Sequence, residues 1–171
     1  MATDNQNITF KGNSINISGE SLKLDQKAPD FTLSNSSLEA VKLSNYNDKV
    51  LVLSVMPSID TAVCATQTKK FNQEASNLSD QVKILTVSLD LPFALGRFCG
   101  AEGIKNVETL SDYKDKNFAE NYACFISDLG ILTRAVFVLD KDKNIKHIEY
   151  VSEVTDEPDY DKALEVVKNL I

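Results

Sequence analysis

What is scarce in this sequence narrows its function before any motif is considered. Positive charge is short: 18 Lys and Arg stand against 25 Asp and Glu, a formal net charge of −7. With the basic residues scattered rather than clustered, the chain lacks the cationic face that neutralises a nucleic-acid backbone. An acidic surface that resists self-association accounts for the charge. Long apolar runs are missing too. No stretch approaches the ~20 apolar residues of a membrane span, and Met1 to Phe10 has neither the basic start nor the apolar core of a signal peptide. A cytoplasmic protein is the expectation. Histidine occurs once and cysteine three times; His147, Cys64, Cys99 and Cys124 do not show the close pairing of zinc ligands. No repeat, heptad or low-complexity linker divides the chain. At 171 residues and 43% apolar, it is expected to form one domain over residues 1–171, large enough to bury a core without staples.

What is present centres on one junction. Val50 to Val55 is an aliphatic, β-branched run of buried-strand length, and Phe71, Ala75 and Leu78 mark an amphipathic helix further on. Between them lies Pro57-Ser58-Ile59-Asp60-Thr61-Ala62-Val63-Cys64, so a cysteine sits where a strand hands over to a helix. The first turn of a helix carries unpaired N–H groups and the positive end of the macrodipole, both of which favour thiolate over thiol. An inert buried cysteine is the plainer reading. Thr61, placed to cap the helix or reach the sulfur, and Pro57, which gives a rigid and shielding entry, favour the reactive one.

The remaining pattern alternates strands with helices. Ile8 to Ile17 alternates around Gly12-Asn13 and predicts an N-terminal β-hairpin within residues 1–19. Lys27 to Leu33 is an extended entry, and a short strand is expected near Val41 to Leu43. Val82 to Ser88 predicts a second buried strand, and Pro92 opens a helix running through Cys99. Val107 to Leu110 reads as a strand and Tyr113 to Tyr122 as a helix. Ala135 to Leu139 and Ile145 to Val151 form an antiparallel pair about the turn Asp140 to Asn144, with His147 alternating outward as an exposed sheet residue. Asp159 to Ile171 is the closing amphipathic helix. Together these elements predict an α/β protein built on a mixed sheet covered on two faces.

Thiolate formation alone does not make a fast thiol enzyme. Lowering a thiol pKa of ~8.5 by two or three units raises the nucleophile about thirtyfold at most, or ~2 kcal/mol. Donors that hold charge on the departing atoms must supply the rest. Arg134, alone at the head of an apolar strand, could project into the crevice at the strand ends or could be a surface residue paired with a carboxylate. Around Cys99, Gly96, Gly100 and Gly103 are half of the chain's six glycines and lower the cost of local rearrangement. Cys124, beside Phe125 and Ile126, reads as buried and non-catalytic.

The segment Pro57-Ser58-Ile59-Asp60-Thr61-x-Val63-Cys64 resembles the peroxidatic segment of the thiol peroxidases, the atypical two-cysteine peroxiredoxins. The resemblance continues in Leu91-Pro92-Phe93-Ala94-x-x-Arg97-Phe98-Cys99-Gly100-Ala101-Glu102-Gly103, in Arg134 to Asp140 and in Glu157-Pro158-Asp159-Tyr160. It implies a thioredoxin-like fold preceded by an N-terminal hairpin. It further implies Cys64 as peroxidatic cysteine, Cys99 as resolving cysteine, and Thr61, Arg134 and Pro57 as the groups around the peroxide. Hydrogen peroxide or alkyl hydroperoxides would be the substrates, thioredoxin the reductant and a homodimer the assembly, with no flavin, haem or metal. The competing reading is a redox switch or thioredoxin-like binding module without turnover. A disulfide oxidoreductase fits less well, because Thr61 occupies the first position of what would be a Cys-x-x-Cys pair.

Overall fold

The computed structural model describes residues 2–171. Its elements follow in the order β1 (Thr9–Phe10), β2 (Asn13–Ser14), β3 (Thr32–Ser34), β4 (Ala40–Lys42), β5 (Val50–Val55), α1 (Ala62–Ala75), β6 (Val82–Ser88) and α2 (Pro92–Glu102). The second half adds β7 (Glu108–Ser111), α3 (Asn117–Asn121), β8 (Phe125–Ile126), β9 (Ile131–Leu132), β10 (Ala135–Leu139), β11 (Ile145–Tyr150) and α4 (Tyr160–Lys168).

The main sheet has the order β11-β10-β5-β6-β7-β3-β4. β5, β6 and β7 run parallel, whereas β10 is antiparallel to β5 and β11, and β3 to β7 and β4. The two parallel crossovers are α1 and α2, as strand–helix–strand units require. β5 lies in the interior of the sheet and every residue of it is buried, which is why its sequence is apolar at all but Ser54 rather than alternating. Its side chains divide between two cores. Val50 and Val52 meet Phe71 of α1 and Ala163 and Val167 of α4. Leu51, Leu53 and Val55 face Phe118 and Tyr122 on the other side, where Ile8 closes the layer from the N-terminal segment.

Three expectations are corrected. The hairpin turn is Lys11-Gly12, not Gly12-Asn13: Phe10 pairs with Asn13, and Lys11 and Gly12 take φ values of 52° and 78°, the left-handed pair of a type I′ turn. Lysine gives no hint of positive φ, so the sequence shifted the turn by one residue. The helix expected over Tyr113 to Tyr122 begins only at Asn117, because Lys116 adopts φ 52° and interrupts any earlier turn. His147 is buried, not exposed. On β11 it pairs with Val138 of β10, and α4 covers that face of the sheet. β8 and β9, a small hairpin after Cys124, had no counterpart in the sequence pattern.

Candidate active site

The site lies at the carboxyl ends of β5 and β6, the usual crevice of a parallel α/β sheet. Thr61 is the N-cap of α1, with extended backbone, and its Oγ1 accepts from Cys64 N at 3.3 Å. Cys64 therefore occupies the third helical position, and its N–H is one of the donors that helical bonding leaves unused. The same hydroxyl donates to the Ser58 carbonyl at 3.1 Å. Thr61 thus ties the turn to the helix, and in this state its partner is the Cys64 amide rather than the sulfur.

The turn before α1 is also pinned from β6. The Asp90 carboxylate accepts from Ser58 Oγ at 2.7 Å, Ile59 N at 2.8 Å and Ser88 Oγ at 2.7 Å. Asp90 stands two residues before Pro92, so one carboxylate links the entry of α1 to the entry of α2. Pro57 is buried in that turn. Cys64 itself has no exposed surface and packs with Met56, Ile59, Leu95 and Phe98.

Arg134 comes from the residue preceding β10. Because Ala135 pairs with Val55, Arg134 is carried to the end of β5, beside the Cys64 turn. It is 2% exposed, and its planar head is used on all sides. Nε donates to the Val154 carbonyl at 2.8 Å, Nη1 to Gln67 Oε1 at 2.5 Å, and Nη2 to Cys64 Sγ at 3.3 Å. Gln67 is fixed in turn by its amide donating to Ser54 Oγ at 2.7 Å. Among the described residues no carboxylate forms an ion pair with Arg134, which removes the surface-pair reading. Stripping a guanidinium of water without a counter-charge costs several kcal/mol, on the order of that for any buried ion. Of the groups it touches, only the Cys64 sulfur can carry a negative charge.

Gln67 was missed by the sequence reading, yet a signal existed. Cys64, Gln67, Thr68 and Phe71 are the buried residues of α1, a spacing of 0, 3, 4 and 7 that defines one helix face. Two polar residues on a core-facing stripe call for partners. Thr68 finds the Cys64 carbonyl at 2.9 Å, and Gln67 finds Arg134.

Cys99 lies on α2, half-buried, and Cys64, Cys99 and Cys124 are all free thiols. Its Sγ is 3.5 Å from Thr109 Oγ1 of β7, and it packs with the core beneath α1 and α4 rather than with the Cys64 cluster. Leu95 and Phe98, three residues apart on α2, are the side chains that reach Cys64. Cys99 is rotated from Phe98 by about 100° of helix. Cys124 donates to the Tyr122 carbonyl at 3.3 Å on the opposite side of the sheet.

Against known proteins, the Redoxin family model matches residues 23–164. The thiol peroxidase of Bacillus subtilis (strain 168) is 48% identical over 164 residues, covering 96% of this chain and 98% of that protein. The chain belongs to the thiol peroxidases of the Redoxin family. The thiol peroxidase of Streptococcus pneumoniae (strain ATCC BAA-255 / R6) is 46% identical over 95% of the chain and 99% of its own length. Among solved structures, the peroxiredoxin-like protein from Aquifex aeolicus superposes with a TM-score of 0.91 at 38% identity, covering 96% of both chains. Thiol peroxidase from Chromobacterium violaceum, at 16% identity, shares the fold with a TM-score of 0.85 over 95% of both chains. The thioredoxin-like peroxiredoxin fold with its N-terminal hairpin is thereby established for this member of the family.

Proposed function

We propose that this thiol-dependent peroxidase reduces hydroperoxides through Cys64, with Arg134 as the charge that serves both the sulfur and the peroxide. The observation that carries the assignment is the contact of Arg134 Nη2 with Cys64 Sγ inside a buried site. The Cys64 thiolate attacks the terminal oxygen of ROOH. A sulfur–oxygen bond forms as the oxygen–oxygen bond breaks, and the alkoxide leaves and takes up a proton as ROH. Cys64 is left as a sulfenic acid. Arg134 holds the developing negative charge, Thr61 Oγ1 and the Cys64 N–H reorient from each other toward the substrate oxygens, and Pro57 keeps water out.

Cys99 then attacks the sulfenic sulfur. The S–S bond forms, the S–OH bond breaks, and hydroxide leaves as water after protonation. For this α2 must partly unwind, because its Leu95 and Phe98 face, not its Cys99 face, meets Cys64. The polar ties that oppose the movement are weak, which leaves the burial of Leu95 as the main restraint. α2 has no side-chain N-cap, and its links to α1 and to the turn before it, Lys69–Glu102 at 2.9 Å and Arg97–Asp60 at 3.4 Å, are exposed; such pairs contribute about 0–1 kcal/mol. A dithiol protein of the thioredoxin type returns the disulfide to two thiols. We place the reaction in the cytoplasm and in a homodimer, for which Leu91 and Phe93, exposed at the start of α2, offer apolar surface. Among the described residues no helix is long and apolar enough to cross a membrane.

Steady-state consumption of hydrogen peroxide and small alkyl hydroperoxides, with thioredoxin and its reductase as the electron source, tests the cycle. Turnover that needs both Cys64 and Cys99 is expected. Cys64 oxidation without sustained peroxide consumption, with every dithiol tried, would assign the protein to redox sensing.

A further inference from the structure

The third partner of Arg134, the Val154 carbonyl, belongs to a segment with an unusual anchor. Glu153, one residue earlier, is only partly buried, yet its carboxylate accepts five hydrogen bonds. Oε2 takes Thr9 Oγ1 at 2.6 Å and Gly12 N at 3.0 Å. Oε1 takes Lys11 N at 2.9 Å and both the N–H and the hydroxyl of Thr155, at 3.1 and 2.7 Å. The consecutive left-handed residues Lys11 and Gly12 present two adjacent N–H groups, one to each oxygen of the carboxylate, the kind of donor pair that a turn backbone offers an anion. These bonds keep the carboxyl well below its ordinary titration range, so it is ionised throughout the working pH. The backbone is stitched at the same place, with Thr9 N donating to the Ser152 carbonyl at 2.8 Å and Val154 N to the Thr9 carbonyl at 2.9 Å.

We propose that Glu153, clamped by the N-terminal hairpin, is a positioning residue that fixes the Val154 carbonyl and through it the rotation of the Arg134 guanidinium against Cys64. Two contacts of that guanidinium are made to side chains that could move, Cys64 and Gln67. Only the Val154 carbonyl is main chain. Its position sets which edge of the guanidinium plane meets the sulfur, and a fork of donors loses effect when it rotates. The hairpin thereby acquires a role in the chemistry although none of its residues reaches the site.

The proposal rests on Cys64 and Arg134 being the reacting pair, and the test separates the two ideas. In the full chain, the single-turnover rate with hydrogen peroxide and the rate of iodoacetamide alkylation at Cys64, read by mass spectrometry, are compared across pH for wild type, Glu153→Ala, Glu153→Gln and Thr9→Val. Loss of the anchor should cost Glu153→Ala about tenfold in both rates, the scale of one weakened hydrogen bond to a charged group. The acid limb of its pH–rate profile should move to higher pH. Glu153→Gln, which keeps one acceptor oxygen, should recover part of the rate. In an Arg134→Lys background the Glu153→Ala change should have almost no further effect, since coupled residues are not additive. A lower melting temperature with unchanged rates, or an equal fold-loss in both backgrounds, overturns the proposal. If Glu153→Ala does not fold, the same cycle run with Glu153→Gln and Thr9→Val decides by the same criterion. Peroxidase turnover surviving Cys64→Ser would instead remove the underlying assignment, while alkylation would still report Arg134 acting on the sulfur.

Discussion

Cys64 and Cys124 are both sealed from solvent, on opposite sides of the central sheet. Around Cys64 the protein has gathered a helix start, a capping hydroxyl and the edge of a guanidinium at 3.3 Å. Around the Cys124 sulfur the described residues offer one partner, the Tyr122 carbonyl, an acceptor that uses the S–H as a donor. Burial, with a smaller contribution from the charge of Asp112, pushes the Cys124 thiol well above its ordinary range. Equal burial thus comes with opposite surroundings. What separates a nucleophile from a packing group is whether the buried neighbours favour negative charge on sulfur or penalise it.

The sharpest way to break this comparison is to remove each sulfur. Cys64→Ser should reduce peroxide turnover on the order of a thousandfold or more, as losses of catalytic nucleophiles do. Cys124→Ser should stay near wild type, at most with lower stability from a hydroxyl in an apolar site. A steady-state peroxide assay on both variants, with circular dichroism to confirm folding, checks the pair; comparable loss in the two would sink the distinction.

Removing the guanidinium while keeping a charge should come next. Arg134→Lys retains a cation but not the fork that reaches Val154, Gln67 and Cys64 together, so a loss of roughly a hundredfold in kcat/KM is expected, the scale of one oxyanion donor. Wild-type turnover would mean that any buried cation suffices. Gln67→Leu is a gentler probe. It removes the acceptor of Nη1 while keeping helix propensity and volume, and should cost about tenfold, the scale of a hydrogen bond to a charged group. Unchanged activity would show that Val154 alone orients Arg134.

Much of this was legible in the sequence. The apolar run ending at Val55, the cysteine after it and the capping Thr61 placed Cys64 at a helix start, and Pro92 marked the opening of the helix of Cys99, whose end in the left-handed cap of Gly103 at φ 65° was not read from the pattern. The partners of Arg134 were hidden because they follow from pairing across the chain. Val154 O lies 20 residues away and is brought in only by the return of β11. Glu153 reads as one surface carboxylate among many until the hairpin folds over it. His147 misled for a related reason: alternation assigns a face to a strand residue, but not whether a helix covers that face. Here α4 does.

The smallest expected effect concerns that histidine and sharpens the contrast by disturbing stability without touching the Cys64–Arg134 contact. His147 is fully buried, and neither ring nitrogen has a hydrogen-bond partner among the described residues. Desolvation by burial lowers its pKa from 6.5 to about 4. As pH falls from 7 toward 4, the unfolded chain therefore takes up a proton that the folded protein refuses, and stability is lost over that window. The loss levels off once the folded form also protonates. Asp112 works in the opposite sense. Burial raises it from 3.8 to about 6, so the folded protein binds its proton first and acid adds stability between about pH 6 and 4. In wild type these two opposed contributions partly cancel. His147→Leu removes only the destabilising one. Its stability relative to wild type, from urea unfolding at pH 7, 5.5 and 4.5, should rise steadily as the pH is lowered, while peroxide turnover at pH 7 stays the same. Parallel acid profiles for the two proteins would show that His147 gains a partner, such as a buried water, and is not held neutral by its surroundings.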